Sequence, residues 1–432
     1  MGDVSWQNWS GHVRATPHAH VRPVDRDALS TVVAGSTGRI RMVGSGHSFT
    51  PLAATDDTLI SLDRMEGTVL SCDADAATAR LQAGASLNAL SRALQDQGLA
   101  FKNLGDIDVQ TLAGATATGT HGTGPGFSCL SAEMMEITLL LASGEFVVAN
   151  AAQNTDLLHA ARIALGSLGV IVDATMSVRE SYRLHRRSFT QPLRDTLAGA
   201  MESWRAHRNF EFFCLPYCDH AFVIMHDETQ AEPFGGKQDS DSNALMQLKQ
   251  LRDLLGWAPP LRRAILNLVA RREKPQEMIG SSWEMLANVR NNRFNEMEYH
   301  LPVDQGLDAL QEVLAVIERQ RRDVFFPIEC RQTAGDDAWL SPFNGGPRIS
   351  VAVHAWHEDS VDWFFDHVEP IFRRRGGRPH WGKMHSLQAA ELRELYPDFE
   401  RFTALRRELD PGGRFLNAHL AGLWGETLDD RA

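Results

Sequence analysis

Gly105-Asp106-Ile107-Asp108-Val109-Gln110-Thr111-Leu112-Ala113-Gly114-Ala115-Thr116-Ala117-Thr118-Gly119-Thr120-His121-Gly122-Thr123-Gly124 is a run dominated by glycine, alanine and threonine. Side chains this small cannot fill a core. They leave a thin backbone surface whose N–H groups and hydroxyls can satisfy a flat, polar ligand. A small-residue packing seam is the competing reading, and a large cofactor accounts better for a run of this length. Upstream lies Arg41-Met42-Val43-Gly44-Ser45-Gly46-His47-Ser48-Phe49-Thr50. Here a strand ends in closely spaced small residues, which frees successive N–H groups to converge on an anion. A simple tight turn is the alternative. The spacing is neither G-x-G-x-x-G nor G-x-x-x-x-G-K-[ST], so the usual dinucleotide and P-loop readings fail.

Outward from these runs, short helical and strand-like patterns alternate. A helix is expected near 25–35 with Asp25 or Asp27 as cap, and a strand over 39–43. Leu87, Leu90 and Leu94 recur at helical spacing between Ser86, a plausible N-cap, and Gly98, a plausible stop. Residues 137–142 and 145–149 flank Ser143-Gly144 as a hairpin; a helix over 156–165 and a strand over 170–178 follow. Beyond 180 the pattern predicts strands at 210–215 and 221–226, a polar mobile loop over 227–243, and helices at 244–255 and 261–272. Then come a strand at 294–301, a helix through 307–317, strands at 324–331 and 348–356, and a helix over 360–375. This is an α+β pattern with breaks near Ser181 and Gly377, not the regular βαβ repeat of a doubly wound sheet.

Composition narrows the classes. The chain of 432 residues carries 43 basic and 55 acidic side chains, a net charge of −12. That length suggests two to three domains. The charge argues against nucleic acid or an anionic membrane as main partner. No apolar run reaches the ~20 residues of a membrane helix. The start, Met1-Gly2-Asp3-Val4-Ser5-Trp6, shows no secretory pattern. The five cysteines (72, 129, 214, 218 and 330) form neither a disulfide framework nor a metal knuckle. A reduced, cytoplasmic enzyme is the expectation.

The two runs, together with Leu165-Gly166-Ser167-Leu168-Gly169-Val170-Ile171, resemble the vanillyl-alcohol oxidase type of FAD flavoprotein, and within it the aldonolactone oxidase and alditol oxidase group. Met297-Glu298-Tyr299, Glu329-Cys330-Arg331, His380-Trp381-Gly382-Lys383 and Asp410-Pro411-Gly412-Gly413-Arg414-Phe415-Leu416-Asn417 extend the resemblance to the C-terminus in the expected order. Each fragment is weak alone; the ordered set is specific. The resemblance implies a two-part FAD-binding domain, residues 1–180 rejoined by 378–432, and an antiparallel-sheet cap over 181–377. It places Gly44, Ser45, Gly46, His47 and Ser48 around the pyrophosphate, with His47 as the covalent tether. It lines the flavin with Gly105, Asp106, Thr111, Gly114, Thr118, Gly119, His121 and Gly122, and adds Gly169, Ile171 and Asn417 to the cofactor set. In the group, glycine at the position of Gly105 leans toward oxidase, because alanine there tends to obstruct oxygen. Asp106 departs from the alditol oxidase pattern, which has serine.

Oxidising an alcohol needs a hydride acceptor, a group to take the hydroxyl proton, and positive charge for a reduced cofactor. Glu329 and Arg331, two apart in a strand, share one face and can hold adjacent hydroxyls as acceptor and forked donor. An exposed cross-strand ion pair is the bland alternative, and the resemblance, through its E-x-R signature, assigns the pair to substrate and flavin. Lys383 matches a lysine of the group that reaches substrate or flavin. His354 shares a strand face with Ser350 and Trp356; a proton acceptor and a structural histidine are both open for it. His380 with His385, or with His419, matches no zinc spacing, so no metal is expected. The implied partners are a sugar lactone or polyol, and dioxygen as electron acceptor.

Overall fold

The computed structural model describes residues 5–236, 240–288 and 290–428. Local signals set the first elements. Asp25 caps the helix Arg26–Gly35 by accepting from Ala28 N at 2.7 Å, and Leu29 and Val33 are buried beneath it. Ser86 caps Leu87–Asp96 in the same way, at 3.2 Å from Ala89 N, which turns Leu87, Leu90 and Leu94 inward. Strands Ala19–Val21, Thr58–Ile60 and Ile40–Met42 form a small parallel sheet. Beside it lies an antiparallel sheet of six strands, in which Met134–Leu140 and Phe146–Asn150 make the expected hairpin and Val170–Glu180 is central.

The second layer is an antiparallel sheet of eight strands. Their order is Gln276–Ser281, Arg183–Pro192, His220–Thr229, Asn209–Cys214, Ile328–Thr333, Arg348–Trp356, Phe294–Pro302 and Arg378–Pro379. One face packs on helices, including Val303–Gln320, whose Leu310, Val313 and Ile317 are fully buried. Gly306 lets that helix press close: a Cβ there would lie 2.3 Å from Ile349 Cβ. The other face turns toward the N-terminal sheets. The fold is therefore mixed α+β, with small parallel and antiparallel N-terminal sheets beside an antiparallel sheet of eight strands.

The chain end returns to the beginning. Ile40 N donates to Arg414 O at 2.7 Å, and Asn417 Nδ2 donates to Pro51 O at 2.7 Å. Helices Ala389–Leu395, Phe399–Leu409 and Ala418–Trp424 complete this segment. Among the described residues no helix is long and apolar enough to cross a membrane.

Several elements differ from the sequence reading. The strand expected over 324–331 is Ile328–Thr333, because Pro327 has no N–H for the ladder. Of the helix expected over 360–375, only Glu369–Arg374 is α, after a π turn at Phe364–Val368; Pro370 sits at its start. The polar stretch over 227–243 is shorter as a loop. Its first residues extend the strand His220–Thr229 against Arg183–Pro192, its last begin the helix Ser240–Leu255, and 237–239 lie outside the described residues. Strands Arg183–Pro192 and Gln276–Ser281 went unrecognised because polar and apolar residues mix along both.

Candidate active site

Where the parallel strand Ile40–Met42 ends, residues 44–48 turn along a cleft. None of their five backbone N–H groups donates to a protein acceptor among the described residues. Gly44 is needed for the close approach: a Cβ there would stand 2.3 Å from Thr111 Oγ1. Thr111 in turn caps the short helix Leu112–Ala117 by accepting from Gly114 N at 3.2 Å. Arg41 lies buried under this cradle and donates to the carbonyls of Leu52 (2.7 Å), Leu165 (2.7 Å), Gly166 (3.1 Å) and Phe415. No carboxylate faces it among the described residues, and burial lowers its pKa to about 9. A row of orphan donors over an uncompensated cation suits a doubly charged pyrophosphate, so the residues fit the phosphate end of FAD.

The cradle opens at His47 into a larger space. A narrow part of about 130 Å³ is lined by 44–48, Thr111, Gly114, Gly169 and Ile171, and a wide part of about 640 Å³ by Asp106, Thr120, His121 and the substrate sheet. His47, Ser48, Gln110 and Thr118 border both, so the two are one bent cleft. The Trp9 ring stacks on His47 with centroids 5.0 Å apart, and Trp9 N holds Gly46 O at 2.8 Å. Burial, then Lys383, lowers the His47 pKa to about 4, so its imidazole is neutral at pH 7.

Alternation along the eight-stranded sheet builds the opposite wall. Cross-strand partners share a face, and the register aligns Phe213, Glu329, Ala352 and Glu298 in one row and Glu211, Arg331, Ser350 and His300 in the next. A third row pairs Glu296 with His354. Arg331 Nη2 meets Glu298 Oε1 at 2.8 Å and Glu329 Oε2 at 3.0 Å. His121 Nε2, from the N-terminal domain, lies 3.0 Å from the same Glu298 oxygen. Lys383 Nζ bonds to Glu296, while His354 Nε2 is 3.6 Å from the other Glu296 oxygen. Among the described residues, Glu298 Oε2, His300 Nε2 and Arg331 Nε are buried without a partner. Such orphaned polar atoms mark where a polar ligand or water completes the site.

Charge is unevenly shared across this wall. Burial raises the Glu329 pKa to about 8; Arg331 opposes the shift, and Glu211, Asp106 and Glu298 add to it. For Glu298, burial is outweighed by Arg331 and His121, which hold its carboxyl well below the usual range. Arg331 is pushed up against burial by Glu329 and Glu298 and stays a cation. Burial keeps His300, His380 and His354 low. Donor atoms of His121, Glu298 and His300 lie within 4.8 Å of one another, a grouping able to hold a metal ion that the sequence spacing did not reveal. The Arg331 guanidinium already bonds to that carboxylate and disfavours a second cation there.

The structure brings Glu329, Arg331, Lys383 and His354 together on one cavity, with Asp106, Thr118 and His121 facing them. Asp106 is held by Arg290 at 2.6 Å and Asn288 at 2.5 Å, so it ties the flavin-side run to the substrate domain. Burial is outweighed by Arg290 and Asn288, and its carboxyl lies below the usual range. Gly105, Gly119, Gly122 and Asn417 stand behind the walls. A Cβ on Gly122 would lie 2.2 Å from Leu104 O, and one on Gly105 would lie 3.0 Å from His121 O, so these glycines let two segments of the run lie side by side. Asn417 is spent on Pro51 O and on capping Leu420 N at 2.9 Å. Sequence reasoning missed Trp9, Glu211, Glu296, His300 and the role of Glu298. Even-numbered polar residues in the buried strand Phe294–Pro302 were the available signal for Glu296, Glu298 and His300.

Residues 174–423 match the model of the D-arabinono-1,4-lactone oxidase family, and residues 17–150 match an FAD binding domain. The chain belongs to the D-arabinono-1,4-lactone oxidase family. It is 37% identical over 431 residues to an L-gulono-1,4-lactone dehydrogenase of Mycobacterium tuberculosis, covering 97% of this chain and 99% of that one. It is 30% identical to an alditol oxidase of a Streptomyces species (96% and 98% covered) and 29% identical to L-gulonolactone oxidase of Bos taurus (96% and 97%). The crystal structure of cholesterol oxidase from Brevibacterium sterolicum aligns with a TM-score of 0.79 over 98% of this chain and 97% of that one; at 16% identity this shows the shared fold. As a member of the D-arabinono-1,4-lactone oxidase family, the chain is an FAD-dependent oxidoreductase acting on CH–OH groups of aldonolactones or alditols.

Proposed function

We propose that this family member oxidises a ring or chain hydroxyl of a sugar lactone or polyol and uses dioxygen as electron acceptor. The observation that carries the reading is the Glu329–Arg331–Glu298 cluster at the floor of a cleft whose other end is the orphan-donor cradle of 44–48. FAD, when bound, supplies the hydride acceptor and the two-electron store that dioxygen empties as hydrogen peroxide. Arg331, fixed by two carboxylates, orients substrate oxygens and supplies positive charge near the reacting carbon. Glu329, once ionised, accepts the hydroxyl proton; burial raises its pKa to about 8 and makes it a stronger base than an exposed carboxylate. Lys383, held by Glu296, donates to a second hydroxyl. Asp106 and its partners Arg290 and Asn288 close the cleft on the substrate side.

A neutral, half-buried His47 stacked on Trp9 supports a covalent link from its ring nitrogen to the flavin. A second acceptor is favoured by the dehydrogenase relative at 37% identity. A panel of lactones, alditols and sugars, followed by peroxide release in oxygen-saturated buffer and by reduction of an artificial acceptor, tests the substrate and the acceptor together. Peroxide release with a lactone or polyol is expected. Turnover with the artificial acceptor alone would replace dioxygen, and turnover with neither would remove the reading.

A further inference from the structure

Away from Glu329 and Arg331 the cleft continues beneath the helices Ser240–Leu255 and Pro259–Arg272, and its walls change chemistry. Leu248, Leu266 and Ala270 form a roof, while Leu215, Ile224 and Met278 rise from the strands and adjoining turn below. Thr190 Oγ1 donates to Ala270 O at 2.6 Å, and Cys218 Sγ to Asn267 Oδ1 at 3.5 Å, while Arg186, Ser188 and Gln276 on the sheet side and Glu273 at the helix end keep those parts of the cleft polar. Phe222 and Val269 line the same space yet are 36% and 57% exposed, so this arm reaches solvent.

A polyhydroxylated lactone has nothing to set against the roof of Leu248, Leu266 and Ala270. Each hydroxyl placed there would give up hydrogen bonds to water without replacement. At about 640 Å³ the wide part of the cleft is also in the range that takes a drug-sized ligand. We infer that this arm is a second subsite, which takes the hydrocarbon part of an alcohol whose carbinol group lies at Glu329 and Arg331. The inference rests on the alcohol-oxidising reading given above and widens its substrate class to amphiphilic alcohols. The head of the molecule meets the charged floor, the chain lies under Leu248, Leu266 and Ala270, and its end emerges beside Phe222 and Val269.

Vicinal diols of increasing alkyl chain length test the arm by calorimetric titration into holoenzyme kept reduced with dithionite, so that nothing is turned over. Kd should fall about threefold to fourfold per added methylene, as for transfer of a CH₂ group out of water. Ala270→Trp should flatten that dependence while leaving turnover of a short polyol in place. Val269→Asp, at an exposed position that folding does not depend on, should weaken only the longest chains. A Kd independent of chain length in the unaltered enzyme, with lactone or polyol turnover intact, overturns the arm alone. Chain dependence without lactone or polyol turnover leaves the arm standing and overturns the substrate reading instead.

Discussion

Arg331 and Glu298 meet at 2.8 Å although a whole strand, Arg348–Trp356, runs between theirs in the sheet. Adjacent strands stand ~4.8 Å apart, so the guanidinium spans about two such spacings. The row between them holds Ala352 and Ser350, whose small side chains leave the passage open. Removing the guanidinium strips a fixed donor from the reacting site. Arg331→Ala should lower kcat on the order of 10²-fold in steady-state assays. Ala352→Leu should act in the same direction by wedging the pair apart, with a stability cost of about 1–3 kcal/mol seen in thermal unfolding. Near-normal kcat in Arg331→Ala would remove that residue from the site.

Glu329 gives the reaction a pH dependence. With its carboxyl raised to about 8 by burial, the base form grows as pH climbs, so kcat/KM should rise toward a plateau above about 8. Glu329→Gln should abolish that limb along with most activity. Stability runs the other way. Between the ordinary value of 4.5 and about 8 the folded protein binds the proton more tightly than the unfolded chain does. This contribution is therefore full below 4.5 and lost as pH rises through about 8, a slope that urea unfolding of Glu329→Gln should lack.

The phosphate cradle tolerates no side chain at its first glycine. Gly44→Ala would drive a methyl to 2.3 Å from Thr111 Oγ1 and displace the cap of Leu112–Ala117. The expected result is a protein that folds with a loss of about 1–3 kcal/mol and retains little flavin after gel filtration. Full flavin content in this variant would place the pyrophosphate elsewhere.

Colour reports on His47. Acid precipitation of the unaltered protein should leave the yellow flavin in the pellet, while in His47→Ala it should pass into the supernatant. Colour released from both would restrict His47 to its stacking contact with Trp9.

Much of this architecture could be read from residue order. Capped helices such as Leu87–Asp96 and the hairpin around Ser143-Gly144 follow from local signals that tertiary packing did not override. The Gly-Ala-Thr run and the glycine turn at 44–48 pointed to a ligand because no core can be made of them. Glu329 and Arg331 were legible as neighbours on one strand face. Their partners were not, since Glu298 and Glu211 come up to Arg331, and His121 to Glu298, only through the register of four strands and the closing of one domain on another. Two substrate-sheet strands escaped notice for a related reason. In Arg183–Pro192 the charged residues face a cavity or a neighbouring strand, so the alternation that marks a half-buried strand is blurred.

The central claim is that a flavin held in this cleft takes electrons from a sugar lactone or polyol placed against Glu329 and Arg331. Anaerobic mixing of the purified protein with a panel of sugar lactones and alditols, followed at the visible absorption band of the flavin, tests it most directly. The account predicts a yellow protein whose band bleaches with at least one member of the panel. A colourless protein that takes up no FAD, or a flavin band that every member leaves unchanged, would contradict it.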